Sequence, residues 1–364
     1  MTEPVHTPPR GEAIARWILV ISVLVLIVVL AGTLIKVPYA VERPGPITDT
    51  LGTLDDGSSL VQVKGAKSYP TDGALYFTTV RVLGGPERHI NGWEWALGHL
   101  DSDSVVVPEE EIFPKDTSEA EIEKINEAQM QGSQKDSIAV GMRSTGAKVP
   151  QVNLVASIAK GLPAAGAFEL KDEIVSVDGT KARTVEDIVT DISDRKAGDT
   201  VDVVVRRGGK LRTVSVKTVD LGGGRAGVGI GIEAKYDYPF EVRIDAGNVG
   251  GPSAGMMFAL AVHDRLTPGA MTAGKRIAGT GTIDDAGEVG PIGGIAQKMV
   301  GAKSGGAQWF LAPESNCKDV VGHVPDGLNV VPVADFSDAT STVESIAKGD
   351  TAGFSTCEDV VKAG

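Results

Sequence analysis

The longest apolar stretch of the chain runs from Trp17 to Ile35, WILVISVLVLIVVLAGTLI, without one charged residue. About 20 such residues match the hydrocarbon thickness of a bilayer. The pattern therefore predicts a transmembrane helix over residues 17–35 behind a short tail, residues 1–16, set in the cytoplasm. A secretory signal peptide carries a shorter apolar run, about 7 to 15 residues, before a small-residue cleavage site. Here the run is longer, and Lys36, Val37, Pro38, Tyr39 and Ala40 make a poor cleavage site, which favours a retained anchor. A buried core helix is the remaining alternative, and such helices are seldom so long and uniformly apolar. Flanking charge leaves orientation open, since Arg10 and Arg16 precede the span while Lys36 and Arg43 follow it. With a single span, a tail inside and a large C-terminal part outside is the simpler arrangement.

After the span the pattern changes to short alternating runs. Residues 37–139 read as a β-containing region, with LVQVKG and GALYFTTVRVLGG rich in β-branched and aromatic residues and bounded by glycine. It closes on a polar, acidic stretch, Glu109 to Lys135, in which SEAEIEKINEAQMQ has helical character; a solvated helix is expected, with bridging between domains as the alternative. Residues 140–219 then give a strand (VNLVASI), a turn at Gly161, Leu162 and Pro163, a helix start (AAGAF), the segment LKDEIVSVDG, a helix (VEDIVTDISD) and a hairpin turning at Gly208 and Gly209. Residues 225–345 alternate glycine-rich turns with apolar strands and helices, and 346–364 form a C-terminal segment. The fold class expected is α+β, multidomain.

Composition narrows the function. The chain has 364 residues and a net charge of −13, from 35 basic and 48 acidic side chains, which argues against a nucleic-acid partner. Apolar content of 42% with 23% charged residues excludes a disordered chain. Two cysteines and no CxxC or HExxH spacing remove structural zinc and zincin chemistry, and no metal or cofactor is expected. If the large part is extracytoplasmic, Cys317 and Cys357 are candidates for pairing; two buried free thiols are the alternative.

One segment carries candidate chemistry. Gly251, Pro252, Ser253, Ala254 and Gly255 precede an apolar run, Met256 to Val262, that reads as a buried helix. Ser253 then sits at a helix start, where free amides and the positive dipole end can hold a developing oxyanion; an N-cap serine is the plainer alternative. Of the five histidines, His6 precedes the span and His263 lies on the helix that Ser253 opens, leaving His89, His99 and His323. A lysine can replace histidine as base when burial favours its neutral form. In GGIAQKMVGAKSGG, Ile295, Met299 and Ala302 fall on one helical face with Lys298, whereas Lys303 lies off it. A snorkelling lysine is the alternative for Lys298.

Two resemblances follow. The segment GLPAAG…L…DEIVSVDG is similar to PDZ domains of the bacterial protease-associated type, which take an extended peptide as an added strand and hold its carboxylate in backbone amides. The family's glycine-rich carboxylate loop has no obvious counterpart near Lys148 to Val152. NVGGPSAG followed by GTGTIDDAGEVGPIGGIAQK resembles the proteolytic domain of the Lon family, peptidases with a Ser-Lys dyad. That resemblance implies Ser253 as nucleophile, Lys298 as base and Thr280 as the residue that bonds the lysine, with Gly251, Pro252, Ala254 and Gly255 supporting the loop. The acidic residue that usually precedes GPSAG is replaced by Gly250. A GxxxxGK[ST] phosphate loop is missing from the chain, so ATP-independent cleavage of unstructured protein segments is expected. Span, PDZ-like module and Lon-like domain, with GALYFTTV and QMQGSQKDSIAV upstream, together resemble the membrane-anchored PDZ-containing Lon-like proteases of Gram-positive bacteria. By that resemblance the large part lies outside the cell membrane, the partners are protein or peptide substrates, and a homo-oligomer is plausible. Two rivals stand beside this reading: a Ser-His-Asp hydrolase built on Ser253, Asp284 or Asp285 and His323, and a catalytically inactive membrane-tethered scaffold.

Overall fold

A computed structural model describes residues 10–54, 57–115 and 117–363, with side chains from residue 14 onward. Most of the expected tail, including His6, lies outside the described residues. The described chain opens on helix α1 (Arg10–Leu34). Within it Ile14–Leu34 is long and apolar enough to cross a membrane, and none of it is buried. A run of this kind serves either as a span or as a signal sequence.

Strands β1 (Lys36–Val37), β2 (Tyr39–Asp49), β3 (Val61–Lys64), β4 (Ala74–Leu83) and β5 (Ile90–Asn91) follow, then α2 (Gly92–Leu100), β6 (Val105–Pro108), the short α3 (Glu109–Ile112) and the long α4 (Glu119–Ser144). Next come β7 (Gln151–Ile158), β8 (Glu173–Val177), β9 (Thr180–Lys181), α5 (Val185–Ser193), β10 (Thr200–Arg207), β11 (Lys210–Lys217), β12 (Val219–Asp220), β13 (Ala226–Gly227) and β14 (Ile230–Tyr236). The last third holds β15 (Glu241–Ile244), α6 (Gly255–Leu266), β16 (Arg276–Gly279), β17 (Thr282–Ile283), β18 (Val289–Gly290), α7 (Ile295–Ser304), β19 (Trp309–Pro313), α8 (Cys317–Val320), β20 (Asn329–Val333), α9 (Phe336–Lys348) and α10 (Cys357–Ala363).

The chain forms two compact units, Met1–Gly45 with Val80–Lys124, and Pro46–Thr79 with Ile125–Gly364. In the first, β1 pairs antiparallel with β5, and β2 with β6. Helix α2 starts at a capping box in which the Asn91 side chain accepts from the amides of Trp93 and Glu94 while Glu94 accepts from the Asn91 amide.

Beside the two-stranded pairs β3–β15, β12–β13 and β17–β18, the second unit holds two larger sheets. In one, the strand order is β11-β10-β8-β7-β14, and α5 covers it through Ile188 and Ile192, which share an apolar core with Val155, Ile174, Val203 and Val228. The expected hairpin is present as β10 and β11. Strand β14 lies in the stretch assigned from sequence to the last domain, yet it pairs along its length with β7 and is the end strand of this sheet. The AAGAF segment is not a helix start. Ala164 instead donates its amide to Val228, outside its own segment, which uses the residues for turns rather than an i to i+4 ladder.

The other sheet of this unit runs β20-β19-β16-β4, all parallel. Against it lies α6, whose residues Met256 to Val262 are all fully buried; a helix apolar on every side belongs at the centre of a core. Helix α4 is solvated over the residues expected to be so, 119–131, apart from half-buried Ile122 and buried Met130, and then continues into the core. Its second half is buried at Met130, Ser133, Ser137, Ile138, Ala139 and Met142, and its Gly141 lies against Ala259 and Val262 of α6. Cys317 and Cys357 form a disulfide that ties α8 to α10.

Candidate active site

The glycine-proline-serine loop is assembled by three elements. Gly251 has φ +83°, a conformation that glycine adopts without strain, and its amide donates to the Asn126 carbonyl at 2.9 Å. From the same helix α4, Ser133 Oγ donates to the Pro252 carbonyl at 3.0 Å and Ser137 Oγ to the Gly255 carbonyl at 2.8 Å. Gly255 opens α6 in a slot where any Cβ would meet Ser133 Oγ at 2.6 Å and Ile283 Cγ2 at 2.9 Å. The N-cap of α6 is Ala254, with no side-chain cap, so Ser253 does not serve as the capping residue. It precedes the helix by two positions and is half-buried, with its peptide at the positive end of the α6 dipole.

Thr280 follows β16, the strand held between β4 and β19, and is fully buried. Its Oγ1 donates to the Ser253 carbonyl at 2.9 Å, and that carbonyl also accepts from the Gly281 amide at 2.8 Å. Lys298 sits in the first turns of α7, only 3% exposed, on the face formed with Ile295, Met299 and Ala302. Its Nζ donates to Thr280 Oγ1 at 3.2 Å. Ser253, Thr280 and Lys298, 45 residues apart in sequence at the extremes, thus meet in one hydrogen-bonded chain. Lys303, on the same helix, is exposed and donates to the Gly327 carbonyl at 2.8 Å.

The structure does not assemble the alternative triad. His323 is exposed on the turn after α8. The Asp285 carboxylate accepts from the Val185 amide at 2.6 Å and from Gln151, while the Asp284 carboxylate accepts from the amides of Ala286, Gly287 and Glu288. Among the described residues no hydrogen bond joins either carboxylate to His323. No group of three or more His, Cys, Asp or Glu suited to a metal occurs among the described residues.

Sequence reasoning missed four contributors. Asn126, Ser133 and Ser137 hold the loop from α4, and buried Asn316 clamps the segment before α7 by bonding both the amide and the carbonyl of Ile292. Serines recurring at i and i+4 with Gly141 four residues further on were the available signal for a packed face made of small residues. A Cβ at Gly250 would meet Asn126 Cβ at 3.0 Å, so an acidic residue at this position would require Asn126 to shift by a few tenths of an ångström. The glycine run Gly227, Val228, Gly229, which leads into the end strand β14, was also passed over. Val228, Ile230 and Ile232 share the apolar cluster of α5 there.

Residues 129–218 match the PDZ domain family and residues 230–343 match the Lon protease (S16) C-terminal proteolytic domain. The chain therefore carries a PDZ domain followed by a Lon-type proteolytic domain. It is 38% identical over 87 residues to a Lon protease of Rhizobium meliloti (strain 1021), which covers 23% of this chain and 10% of that protein. It is 29% identical over 116 residues to a Lon protease of Rickettsia bellii (strain RML369-C), covering 30% of this chain and 15% of the relative. The match thus spans a small part of these relatives. The solved PDZ domain of an SdrC-like protein from Listeria monocytogenes is 27% identical, covers 22% of this chain and 85% of its own, and superposes with a TM-score of 0.21.

Proposed function

We propose that this chain is a membrane-anchored serine endopeptidase in which Ser253 is the nucleophile and Lys298 the general base, acting without ATP on unstructured protein segments outside the membrane. The observation that carries the proposal is the hydrogen-bonded chain from Lys298 Nζ through Thr280 Oγ1 to the Ser253 carbonyl, inside a segment that matches a Lon-type proteolytic domain.

Thr280 commits its only hydroxyl proton to the Ser253 carbonyl, so it serves the lysine as an acceptor. A neutral amine that donates one N–H to Thr280 keeps its lone pair for another partner, and in this mechanism the partner is the Ser253 hydroxyl. A buried, low-dielectric position favours that neutral form. Lys298 takes the Ser253 proton as Oγ attacks the scissile carbonyl; the protonated amine then gives that proton to the leaving amine as the C–N bond breaks. Water, deprotonated by the same lysine, hydrolyses the ester and restores Ser253. Backbone amides of the loop, rigidified by Asn126, Ser133 and Ser137, hold the oxyanion in this scheme.

The domain limits proposed are 1–16 for the tail, 17–35 for the span, 37–139, 140–219 for the PDZ part, 225–345 for the proteolytic part and 346–364, with α4 running across the limit at 139/140 and β14 shared by pairing. The PDZ part recruits a substrate segment as a strand added to β14, with the Gly227 to Gly229 turn at its carboxylate end. Absence of a GxxxxGK[ST] motif supports nucleotide independence, and a homo-oligomer is part of the proposal.

Full-length protein in detergent should cleave an unfolded protein without nucleotide. Ser253→Ala and Lys298→Ala should each abolish cleavage and His323→Ala should leave it intact. Cleavage that survives Lys298→Ala would overturn the proposed base, and an inactive parent would favour the scaffold reading.

A further inference from the structure

Helix α2, directly after the first strands, carries an apolar stripe on the outside of its unit. Trp93, Leu97 and Leu100 recur at i, i+4 and i+7, which places them on one face, and they are 39%, 56% and 82% exposed. The opposite face carries Gly98, buried so tightly that a Cβ would meet Val106 at 2.8 Å and Val41 at 3.1 Å, and Glu94, which caps the helix and pairs with Arg88 at 3.1 Å. The packed side is thus satisfied, and the stripe faces away from it.

The position of this helix relative to α1 says what covers the stripe. Trp93 Nε1 donates to the Val29 carbonyl at 3.1 Å, and its ring fills the notch over Gly32, where a Cβ would meet it at 2.3 Å. The Gly92 amide donates to the Ile35 carbonyl at 3.0 Å, so the first turn of α2 is fastened to the last turns of the apolar helix. At about 1.5 Å per residue, Val29 lies about 8 Å inside the end of α1 at Leu34. The 21 residues of Ile14–Leu34 extend about 31 Å, close to the roughly 30 Å of a bilayer's hydrocarbon. Trp93 therefore stands just inside the end of the span, several ångströms from the membrane boundary, in the interfacial zone where the amphipathic ring of tryptophan is favoured.

We propose that α2 lies along the outer membrane interface and buries Trp93, Leu97 and Leu100 among lipid headgroups and upper acyl carbons. The span then has a second, lateral contact with the bilayer that fixes the tilt of its own unit on the membrane. The lipid surface is the occupant because the stripe starts at Trp93, whose ring lies on Gly32 of the exposed apolar helix α1. This inference rests on the membrane-anchored reading above.

The test uses the full chain in phosphatidylcholine vesicles with one tryptophan at a time, the others being changed to Phe. The four tryptophans are Trp17, Trp93, Trp95 and Trp309. Chains keeping only Trp17, only Trp93 or only Trp309 are compared with a tryptophan-free chain carrying Leu100→Trp. Lipids brominated high on the acyl chain should quench Trp93 and the tryptophan introduced by Leu100→Trp, and both should emit to the blue of Trp309, which should respond only to aqueous acrylamide. Quenching of Trp93 without quenching at position 100 would overturn the proposal, because α2 would then stand off the surface. Protection of position 100 from both quenchers would also overturn it, since a second copy or another protein would be the cover. Trp17 separates the two readings: if it escapes bromolipid, the anchor itself fails, whereas quenched Trp17 with acrylamide-sensitive Trp93 defeats the interfacial helix alone.

Discussion

Replacing Thr280 by valine removes one hydroxyl and keeps the shape of a fully buried side chain. Two hydrogen bonds disappear, the one donated to the Ser253 carbonyl at 2.9 Å and the one accepted from Lys298 Nζ at 3.2 Å. The Ser253 carbonyl keeps its bond from the Gly281 amide at 2.8 Å, so the loop retains one of its two fastenings on this side. Losing a partner for a buried polar group costs about 1–3 kcal/mol, and Thr280→Val should lower unfolding stability within that range. The effect on turnover is the sharper readout. In the proposed mechanism Thr280 aims the lysine lone pair, and about 2–3 kcal/mol on the barrier corresponds to a fall in kcat on the order of 10². KM should change far less, because the lost bonds do not contact bound peptide. Thr280→Ser restores the hydroxyl and should recover most of the turnover. The assay is steady-state cleavage of a fluorogenic peptide alongside thermal melting. Parental kcat in Thr280→Val, or serine and valine variants equally impaired, would refute the reasoning.

Other consequences can be read the same way. Gly141→Ala places a Cβ at 2.7 Å from Val262 Cβ and 2.8 Å from the Ala259 carbonyl; overpacking of this kind costs about 1–3 kcal/mol, so chemical denaturation should show a clear loss, and an unchanged midpoint would contradict the α4–α6 contact. Burial pushes the Asp136 carboxyl up to about 6 from an ordinary 3.8, helped by Asp285 and Asp284 nearby. The folded state therefore binds this proton more tightly than the unfolded chain, and its contribution is full below about pH 3.8 and lost as pH rises through about 6. Two units amount to at most about 3 kcal/mol, and Asp136→Asn should remove that part of the decline between pH 4 and 6.5; an unaltered pH profile would count against it. The Cys317–Cys357 disulfide spans a sequence separation of 40, and closing such a loop is worth about 4 kcal/mol in a chain-entropy account. Alkylation should label neither thiol until reductant is added, and the reduced protein should melt at a lower temperature.

The candidate site was legible because its chemistry is local in type and long-range only in assembly. Lys298 betrays itself as a lysine on an otherwise apolar helical face, and Ser253 by the small residues that surround a backbone other groups approach closely. The buried second half of helix α4 was not legible, because Ser133, Ser137 and Gly141 share its buried positions with Met130, Ile138, Ala139 and Met142, and hydropathy reads serine as solvent-facing. Tight packing against α6 rewards small residues there, with hydroxyls satisfying carbonyls of the loop. The AAGAF segment misleads for a related reason: alanine favours helix in isolation, but Ala164 is held by a hydrogen bond to Val228, some 60 residues on, a tertiary contact that local propensity cannot register. Strand β14 carries no mark of which sheet it joins. Its pairing with β7 depends on where the chain goes after the hairpin of β10 and β11.

The central claim is that Ser253 is activated by Lys298. An acylating peptide probe followed by mass spectrometry tests it at the atom concerned. The account predicts a single covalent adduct on Ser253 in the parent, formed without nucleotide, and none in Lys298→Ala despite an unchanged fold. An adduct on another residue, or equal labelling of Ser253 after Lys298 is removed, would contradict it.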